Sequence, residues 1–333
     1  SIANVKNNGL KICKLINDAY ENKAKIIVFP ELCLTGYTCE DLFNQDRLLN
    51  ETKIQLQTII NETDNKDIVA VVGLPYQHLN SLYNVAAVIH KGKLLGLVPK
   101  THIPNYQEFY EARRFESAPK NNTTIIFNGK NIPFGTRYIF ASSTNPEFKF
   151  GIEICEDLWL PDSPSIKLAL NGANLILNPS ASNEITTKKD YRRLLINSQS
   201  ARLVCGYIYS NAGNGESTTD VVFSGHHLIC ENGVVLKESK QYDNGIIYAD
   251  IDIEKLARER MEMTTYQNEF NDDYWNYEFE LKNIDLQLTR YYDPHPFVPS
   301  DETKRALRCK EVFDIQIHGL IQRLKAAHIQ KVV

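Results

Sequence analysis

The chain has 333 residues, of which 43% are apolar, so it can bury a sizeable core and is globular and not disordered. Its 37 basic and 41 acidic side chains give a formal charge of −4, a balance too even to indicate a nucleic-acid or membrane surface. A small molecule is therefore the expected partner.

Seven cysteines are scattered along the chain without C-x-x-C pairs, and their odd number argues against a complete disulfide framework. The sequence shows no signal-peptide pattern, and its apolar runs are far shorter than the roughly 20 residues that a membrane span needs. We therefore expect a cytoplasmic protein that binds neither a membrane nor nucleic acid.

The chain begins with alternating helical and strand patterns. Apolar side chains at helical spacing over 3–23 predict a helix that leads into a buried strand, "AKIIVFPE". A second helix is predicted over 46–62, followed by the buried strand "DIVAVVGLP". Because the sequence opens in the middle of this pattern, we expect that a preceding strand is missing.

Three dipeptides between apolar runs predict β-hairpins: Lys91-Gly92, Asn128-Gly129 and Asn232-Gly233. The second hairpin would join "TTIIF" to one long strand, "IPFGTRYIF". Further strands are predicted over 148–155, 173–178 and 206–212, with helices over 164–171 and 189–204. Helices that alternate with strands and are interrupted by hairpins indicate an α/β fold with mixed sheets.

The character of the sequence changes at about residue 265. "YQNEFNDDYWNYEFE" is acidic and aromatic, "YYDPHPFVPS" is rich in proline, and 301–327 predicts an amphipathic helix. The ending "HIQKVV" has the pattern of the start of a strand. We therefore expect one domain over 1–265 and a C-terminal extension over 266–333.

Three reactive side chains each follow the carboxyl end of a predicted strand: Glu31, Lys100 and Cys155. Ligands of open α/β sheets bind outside these strand ends, so the three could share one crevice. A cysteine would supply a nucleophile, a glutamate a general base and then acid, and a lysine ammonium would stabilise a thiolate and an oxyanion. Each residue alone has a commoner explanation, because single cysteines are usually buried hydrophobes and single loop charges are usually solvated.

Cys155 has three carboxylates as sequence neighbours, Glu153, Glu156 and Asp157, which should raise the pKa of its thiol. We expect Lys100, if it lies within about 4–6 Å, to outweigh them. If the strand continues through Cys155, Glu153 shares its face one pleat back and Glu156 points away.

Other site patterns are weak. The eight histidines are dispersed, and the sequence contains no H-E-x-x-H motif or paired His/Cys cluster that would predict a metal site. "NAGNGEST" offers only G-x-G and is more typical of a tight turn than of a nucleotide loop. A Cys–His mechanism stays open, because a histidine distant in sequence can be close in space.

Three segments, "FPELCLTGYTCEDLF", "PKTHIPNYQEFYEARRF" and "GIEICEDLWLP", resemble the Glu, Lys and Cys motifs of the nitrilase superfamily of carbon–nitrogen hydrolases. The motifs occur in the family's order, and the resemblance runs from about residue 3 to 265. It implies an α/β fold, the nitrilase-like α-β-β-α four-layer sandwich of two mixed β-sheets flanked by helices.

Two more segments, "NPSASNEITTKKDYRR" and "NAGNGESTTDVVFSGHHLICENG", resemble the glutaminase domain of glutamine-dependent NAD synthetases. In that family this domain releases ammonia from glutamine, and an ATP-dependent domain uses the ammonia to amidate nicotinic acid adenine dinucleotide. The resemblance implies that 266–333 lead to a synthetase domain of the same polypeptide that is absent from this chain. ATP and Mg would bind only there, this domain would need no cofactor or metal, and the protein would form a homo-oligomer.

The resemblance makes Cys155 the nucleophile, Glu31 the general base and Lys100 the cation beside the oxyanion. The residues it implies for glutamine binding are the aromatic Tyr37, Tyr106 and Phe109 and the polar Glu156, Ser182 and Lys188. Lys188 departs from the arginine of some members and offers a point charge in place of a planar fork. Two alternatives stay open: a free-standing amidase or carbamoylase acting on another small amide, and a noncatalytic scaffold domain.

Overall fold

The computed structural model of the protein describes residues 1–243, 245–282, 290–292, 294–295 and 297–331. The chain divides into two compact units, Ser1–Leu286 and Gln287–Val333. None of the described helices is both long enough and apolar enough to cross a membrane.

In the described part of the first unit, one sheet has six strands in the order β1-β2-β3-β4-β6-β5. They are β1 (Ile26–Val28), β2 (Val69–His78), β3 (Ser81–His90), β4 (Lys93–Pro99), β5 (Thr123–Phe127) and β6 (Lys130–Phe134). β1 pairs in parallel with β2, whereas β2, β3 and β4 pair antiparallel through hairpins. The sheet is therefore mixed, as the sequence predicts.

Two helices, α1 (Val5–Glu21) and α2 (Asp46–Glu62), pack against one face of this sheet. Asn4 caps α1 by accepting a hydrogen bond from the backbone N–H of Asn7 at 3.3 Å. Ile12 and Ile16 are buried at helical spacing, whereas Leu10 in the same predicted pattern is exposed. Burial of one apolar stripe is what holds such a helix on a sheet.

The second sheet has seven described strands in the order β12-β11-β10-β9-β8-β7-β13. They are β7 (Tyr138–Ser142), β8 (Lys149–Ile152), β9 (Leu175–Ser180), β10 (Gly206–Asn211), β11 (Leu228–Glu231), β12 (Val234–Glu238) and β13 (Trp275–Phe279). α3 (Pro164–Leu170) and α4 (Lys188–Leu203) pack on one of its faces, and α5 (Ile253–Glu262) follows β12.

The two sheets face each other across an apolar layer. Residues of both sheets form it: Val69, Val71, Val88, Phe140, Phe150 and Leu177. With α1 and α2 outside one sheet and α3 and α4 outside the other, the layers are α-β-β-α. The predicted four-layer sandwich with two mixed sheets is confirmed.

The three predicted hairpin turns are confirmed by their backbone geometry. In each dipeptide both residues have positive φ, for example +42° at Lys91 and +66° at Gly92. Two successive positive φ angles are typical of the type I′ turn, whose twist matches that of the flanking strands.

Several sequence-based boundaries are wrong. The strand predicted over 132–140 is broken at Gly135, so that β6 and β7 lie in different sheets. The strand predicted over 148–155 ends at Ile152. The sequence predicted neither α5 nor β13, and β13 pairs in parallel with β7 although it lies beyond residue 265. The division at 265 into a hydrolase domain and a connector stays a prediction.

The second unit contains α6 (Glu302–Ala326), which confirms the helix predicted over 301–327. Asp301 caps its first turn by accepting from the backbone N–H of Lys304 at 2.8 Å. None of the residues of α6 is buried. The strand predicted at "HIQKVV" is not formed by 328–331, and 332–333 lie outside the described residues.

Candidate active site

Glu31 lies in the turn that follows β1 and is 1% exposed. The turn crosses β2, where the N–H of Leu34 donates to the carbonyl of Gly73 at 3.1 Å. A Cβ added at Gly73 would lie 2.4 Å from the backbone nitrogen of Leu32, so the turn can approach this strand only at a glycine. The close approach fixes where the Glu31 carboxylate enters the interior.

Lys100 follows β4 and connects two buried carboxylates. Its Nζ donates to Glu31 Oε1 at 2.7 Å and to Glu111 Oε1 and Oε2 at 2.7 and 2.9 Å. The side chain of Asn84 and the N–H of Ala181 donate to the two oxygens of Glu31 at 2.6 and 2.8 Å. We call Glu31, Lys100 and Glu111 the ion cluster.

Burial alone would lower the pKa of Lys100, but Glu111 and Glu31 raise it well above its ordinary value. Burial raises the pKa of Glu111. The charge of Lys100 lowers this pKa, and the charge of Glu31 raises it further. Lys100 therefore stays a cation, because removing its proton would leave two carboxylates without a counter-charge.

Cys155 begins a short 3₁₀ helix, Cys155–Trp159, beyond the end of β8. Its φ of +46° lies in the left-handed region that side chains rarely adopt. Its N–H donates to Asn178 Oδ1 at 3.1 Å, and the N–H of Ile154 donates to Asp157 Oδ2 at 3.0 Å. Because β8 has already ended, the strand alternation expected through Cys155 is wrong, and Glu156 lines the same cavity as the thiol.

Burial raises the pKa of the Cys155 thiol, and Glu31 raises it further. Lys100 lowers the pKa, Glu111 raises it, and a hydrogen bond from the N–H of Ala181 lowers it. The net shift is upward, so the expectation that Lys100 would lower the pKa of this thiol overall is wrong. The physical reason is first the burial of the thiol and second the contact of Lys100 with Glu31 and Glu111, which offsets its charge. The resting group is therefore the thiol.

Two of the acidic neighbours of Cys155 have structural partners. Glu153 accepts from the N–H of Ser165 at 2.8 Å and from the hydroxyl of Tyr207, and burial raises its pKa to about 7. Asp157 Oδ1 accepts from the backbone N–H and Nδ1 of His102 at 2.8 and 2.9 Å. Asp157 therefore connects the loop after Lys100 to the turn that carries Cys155.

A cavity of about 320 Å³ opens above Cys155. Six of the residues selected from the sequence line it: Tyr106, Phe109, Cys155, Glu156, Ser182 and Lys188. Glu31 and Lys100 lie behind it, and Glu111 reaches its wall. Tyr37 does not line this cavity; its hydroxyl donates to Glu111 Oε1 at 2.8 Å, and its ring packs on Phe223.

Besides the ion cluster, the cavity wall carries two acidic groups, Glu108 and Glu156, and one basic group, Lys188. Glu156 is half-buried, and its Oε1 accepts from the hydroxyl of Tyr106 at 2.8 Å. Lys188 Nζ lies 5.7 Å from the ring centroid of Phe109 and 5.3 Å from that of Trp159. Burial lowers the pKa of Lys188, and Cys155 partly opposes this. We call Tyr106, Glu156 and Lys188 the recognition wall.

Ser182 follows β9 and is buried. Its N–H donates to Asn211 Oδ1 at 2.7 Å, and its hydroxyl accepts from Nη2 of the buried Arg192 at 3.3 Å. The sequence interpretation missed Arg192 and Glu111 as parts of the site. Glu111 lies in the quoted lysine motif, but a single loop carboxylate carries no local sign of burial.

Among the described residues, no group of three His, Cys, Asp or Glu side chains is arranged to hold a metal ion. All seven cysteines are free. The groups available for chemistry at the cavity are therefore a thiol, carboxylates, two ammonium groups and hydroxyls.

Residues 2–260 match the family of carbon–nitrogen hydrolases. Over 98% of its length the chain is 38% identical to the glutamine-dependent NAD(+) synthetase of Mycobacterium tuberculosis, and it covers 50% of that protein. It is 33% identical to the glutamine-dependent NAD(+) synthetase of Aquifex aeolicus, with 78% of this chain and 42% of that protein covered. The chain thus spans about half the length of the curated relatives it matches.

Solved structures of similar fold include a synthetase and a carbon–nitrogen hydrolase. A glutamine-dependent NAD(+) synthetase from Cytophaga hutchinsonii superposes with a TM-score of 0.64 at 30% identity, covering 72% of this chain and 39% of that one. A carbon–nitrogen hydrolase from Helicobacter pylori superposes with a TM-score of 0.65 at 19% identity, covering 80% of this chain and 91% of that one. The second likeness supports the fold alone.

Proposed function

The chain belongs to the family of carbon–nitrogen hydrolases, and from that premise we propose that it hydrolyses the side-chain amide of glutamine to glutamate and ammonia through a thioester on Cys155. One observation carries the proposal. The cavity places a cysteine thiol between a buried Glu–Lys–Glu cluster and a wall that bears Glu156 and Lys188. The cluster suits amide hydrolysis, and the wall suits a substrate with one ammonium and one carboxylate group.

The first half of the reaction forms the thioester. Glu31 takes the thiol proton as the sulfur of Cys155 attacks the amide carbon, and the carbonyl electrons move to oxygen. Lys100 stabilises this oxyanion with a charge that its two carboxylates hold in place. When the carbonyl re-forms, the carbon–nitrogen bond breaks and Glu31 returns its proton to nitrogen, so ammonia leaves.

The second half releases glutamate. Glu31 takes a proton from water, whose oxygen attacks the thioester carbon, and Lys100 again stabilises the oxyanion. The carbon–sulfur bond breaks and the sulfur regains the proton. A high thiol pKa is compatible with this route, because the proton is transferred during attack and no resting thiolate is required.

The substrate's α-amino group would bind Glu156, and its α-carboxylate would bind Lys188 and the hydroxyl of Ser182. Tyr106 and Phe109 would contact the methylene groups between them. Both charged residues keep a half-buried position beside aromatic rings, where a charge pair is stronger than in open water.

The ammonia would serve a synthetase part of the same polypeptide, which would bind ATP and Mg and amidate nicotinic acid adenine dinucleotide to NAD. The support is the similarity to synthetases of about twice this length. The protein would act in the cytoplasm as a homo-oligomer.

Cys155→Ala tests the proposal. We expect it to abolish ammonia release from glutamine, measured by coupled assay, whereas Cys309→Ala, which removes an exposed cysteine of α6, should keep the wild-type rate. A glutamine-analogue electrophile should label Cys155. In the full-length polypeptide, Cys155→Ala should still make NAD from ammonium salts. Glutamine hydrolysis by Cys155→Ala at the wild-type rate would disprove the mechanism.

A further inference from the structure

Lys188 is held by a chain of polar contacts that begins on another loop of the cavity. Its Nζ donates to Asn183 Oδ1, and Asn183 Nδ2 donates to Glu108 Oε1 at 2.5 Å. Asn183 is 3% exposed, so its amide has little access to water. Flipping that amide would turn its NH₂ group toward an ammonium and its oxygen toward a carboxylate, so the two charged partners fix its orientation.

The contact joins two loops that are distant in sequence. Glu108 belongs to the loop after β4, which also carries Tyr106 and Phe109, whereas Asn183 follows β9 directly after Ser182. Arg192 in α4 donates from Nη2 to the carbonyl of Asn183 at 3.1 Å and so holds its backbone. Arg192 of α4 therefore holds the backbone of Asn183, and Glu108 of the loop after β4 holds its side-chain amide.

The position of the Lys188 ammonium depends on its hydrogen bond to Asn183. Its ammonium is a point charge on a flexible four-carbon chain, and the rings of Phe109 and Trp159 attract it without fixing a direction. One of its three N–H donors is directed at Asn183 Oδ1, which leaves two for the cavity. The amide oxygen thus sets where the charge stands relative to Cys155 and Glu156.

Resting on the proposed function, we propose that Glu108 and Asn183 are positioning residues that fix the Lys188 ammonium for the substrate's α-carboxylate. They thereby make the site select amides that carry a free carboxylate over amides that lack one. Neither residue takes part in bond making, so their loss affects binding of the carboxylate end and not the chemistry at Cys155.

The test compares glutamine with 4-aminobutanamide, which is glutamine without its α-carboxylate. Glu108→Ala should raise KM for glutamine about tenfold, the effect of losing the hydrogen bond that holds Asn183, with kcat unchanged. Its kcat/KM for 4-aminobutanamide should equal that of the wild type. Glu108→Gln should restore the wild-type KM, because its amide oxygen can still accept from Asn183. Glu116→Ala, which removes an exposed carboxylate farther along the chain, is the matched control.

Asn183→Ala should act in the same direction, with thermal unfolding measured alongside because the residue is buried. In a Lys188→Ala background, Glu108→Ala should add nothing. Equal losses on both amides, a wild-type KM in Glu108→Ala, or failure of Glu108→Gln to restore binding would each overturn the inference. These results differ from a failure of the proposed function, in which the wild-type protein would release no ammonia from glutamine.

Discussion

The ion cluster and the recognition wall border one cavity but differ in how their charges are stabilised. Lys100 and Glu31 are 0% and 1% exposed and lie in direct contact, so they have each other in place of water as a partner. Tyr106 is 49% exposed, and Glu156 and Lys188 are half-buried, so water shares in solvating them. Under the proposed function, the charges that are buried together would govern folding and reaction, whereas the partly solvated charges would adjust which substrate binds.

Lys100→Met tests the first half of this contrast and should have the largest effect. It leaves Glu31 and Glu111 buried side by side without a cation, which should cost about 3–5 kcal/mol of the free energy of unfolding. Loss of the oxyanion partner should lower kcat by at least about 10²–10³-fold. Urea unfolding and ammonia release measure the two effects.

Lys93→Met is the matched control, because Lys93 is an exposed lysine at the start of β4, the strand that Lys100 follows. We expect it to change stability by less than about 0.5 kcal/mol. If Lys100→Met unfolds at the wild-type urea concentration, the ion cluster does not carry the stability assigned to it.

Tyr106→Phe tests the second half and should have a moderate effect. It removes the hydroxyl that donates to Glu156 at 2.8 Å and leaves the ring in place. Because the pair is partly solvated, the loss should be about 1 kcal/mol, which corresponds to a rise of about fivefold in KM for glutamine. Stability and kcat should stay near their wild-type values, as measured by urea unfolding and steady-state kinetics.

Tyr110→Phe is the control for this change, since Tyr110 is a similarly exposed tyrosine of the same loop. A large loss of stability in Tyr106→Phe would remove the distinction between the cluster and the wall.

The parts of the fold that local sequence determines were predictable. Asn128-Gly129 specifies its turn by the positive φ angles that asparagine and glycine tolerate, and α1 and α2 follow from apolar spacing. β13 was not predictable in this way, because its partner β7 is far away in sequence and only Phe279 of its residues is buried. Its acidic and aromatic composition hides a strand that long-range pairing stabilises.

The candidate site shows the same division. Glu31, Lys100 and Cys155 stand at strand ends and in motifs, so sequence could nominate them, and their catalytic roles stay predictions. The sequence did not identify Glu111, because only its burial distinguishes it from a solvated loop carboxylate. The pKa of Cys155 was misjudged for the same reason, because the sequence shows neither the burial of the thiol nor the two carboxylates that contact Lys100.

His102 lies in the chain between Lys100 of the cluster and Tyr106 of the wall, and its replacement should show the smallest effect. A hydrogen bond to Asp157 raises its pKa, which burial opposes, and the charges of Asp157, Glu156 and Asp162 raise it further. Since the folded pKa exceeds the unfolded value of about 6.5, protonated His102 stabilises the fold fully below that pH. This stabilisation is lost as pH rises through the folded pKa. Its side chain is 38% exposed, so screening should keep the change below about 1 kcal/mol.

His102→Gln should therefore flatten a shallow decline in the free energy of unfolding between about pH 6 and pH 8, measured by urea titration at each pH. The backbone N–H at this position would still donate to Asp157, so the turn that carries Cys155 should remain in place and kcat should change little. A steep loss of kcat would instead mean that the imidazole itself holds the turn that carries Cys155. The cluster and the wall would then be coupled through His102, and the contrast between them would no longer hold.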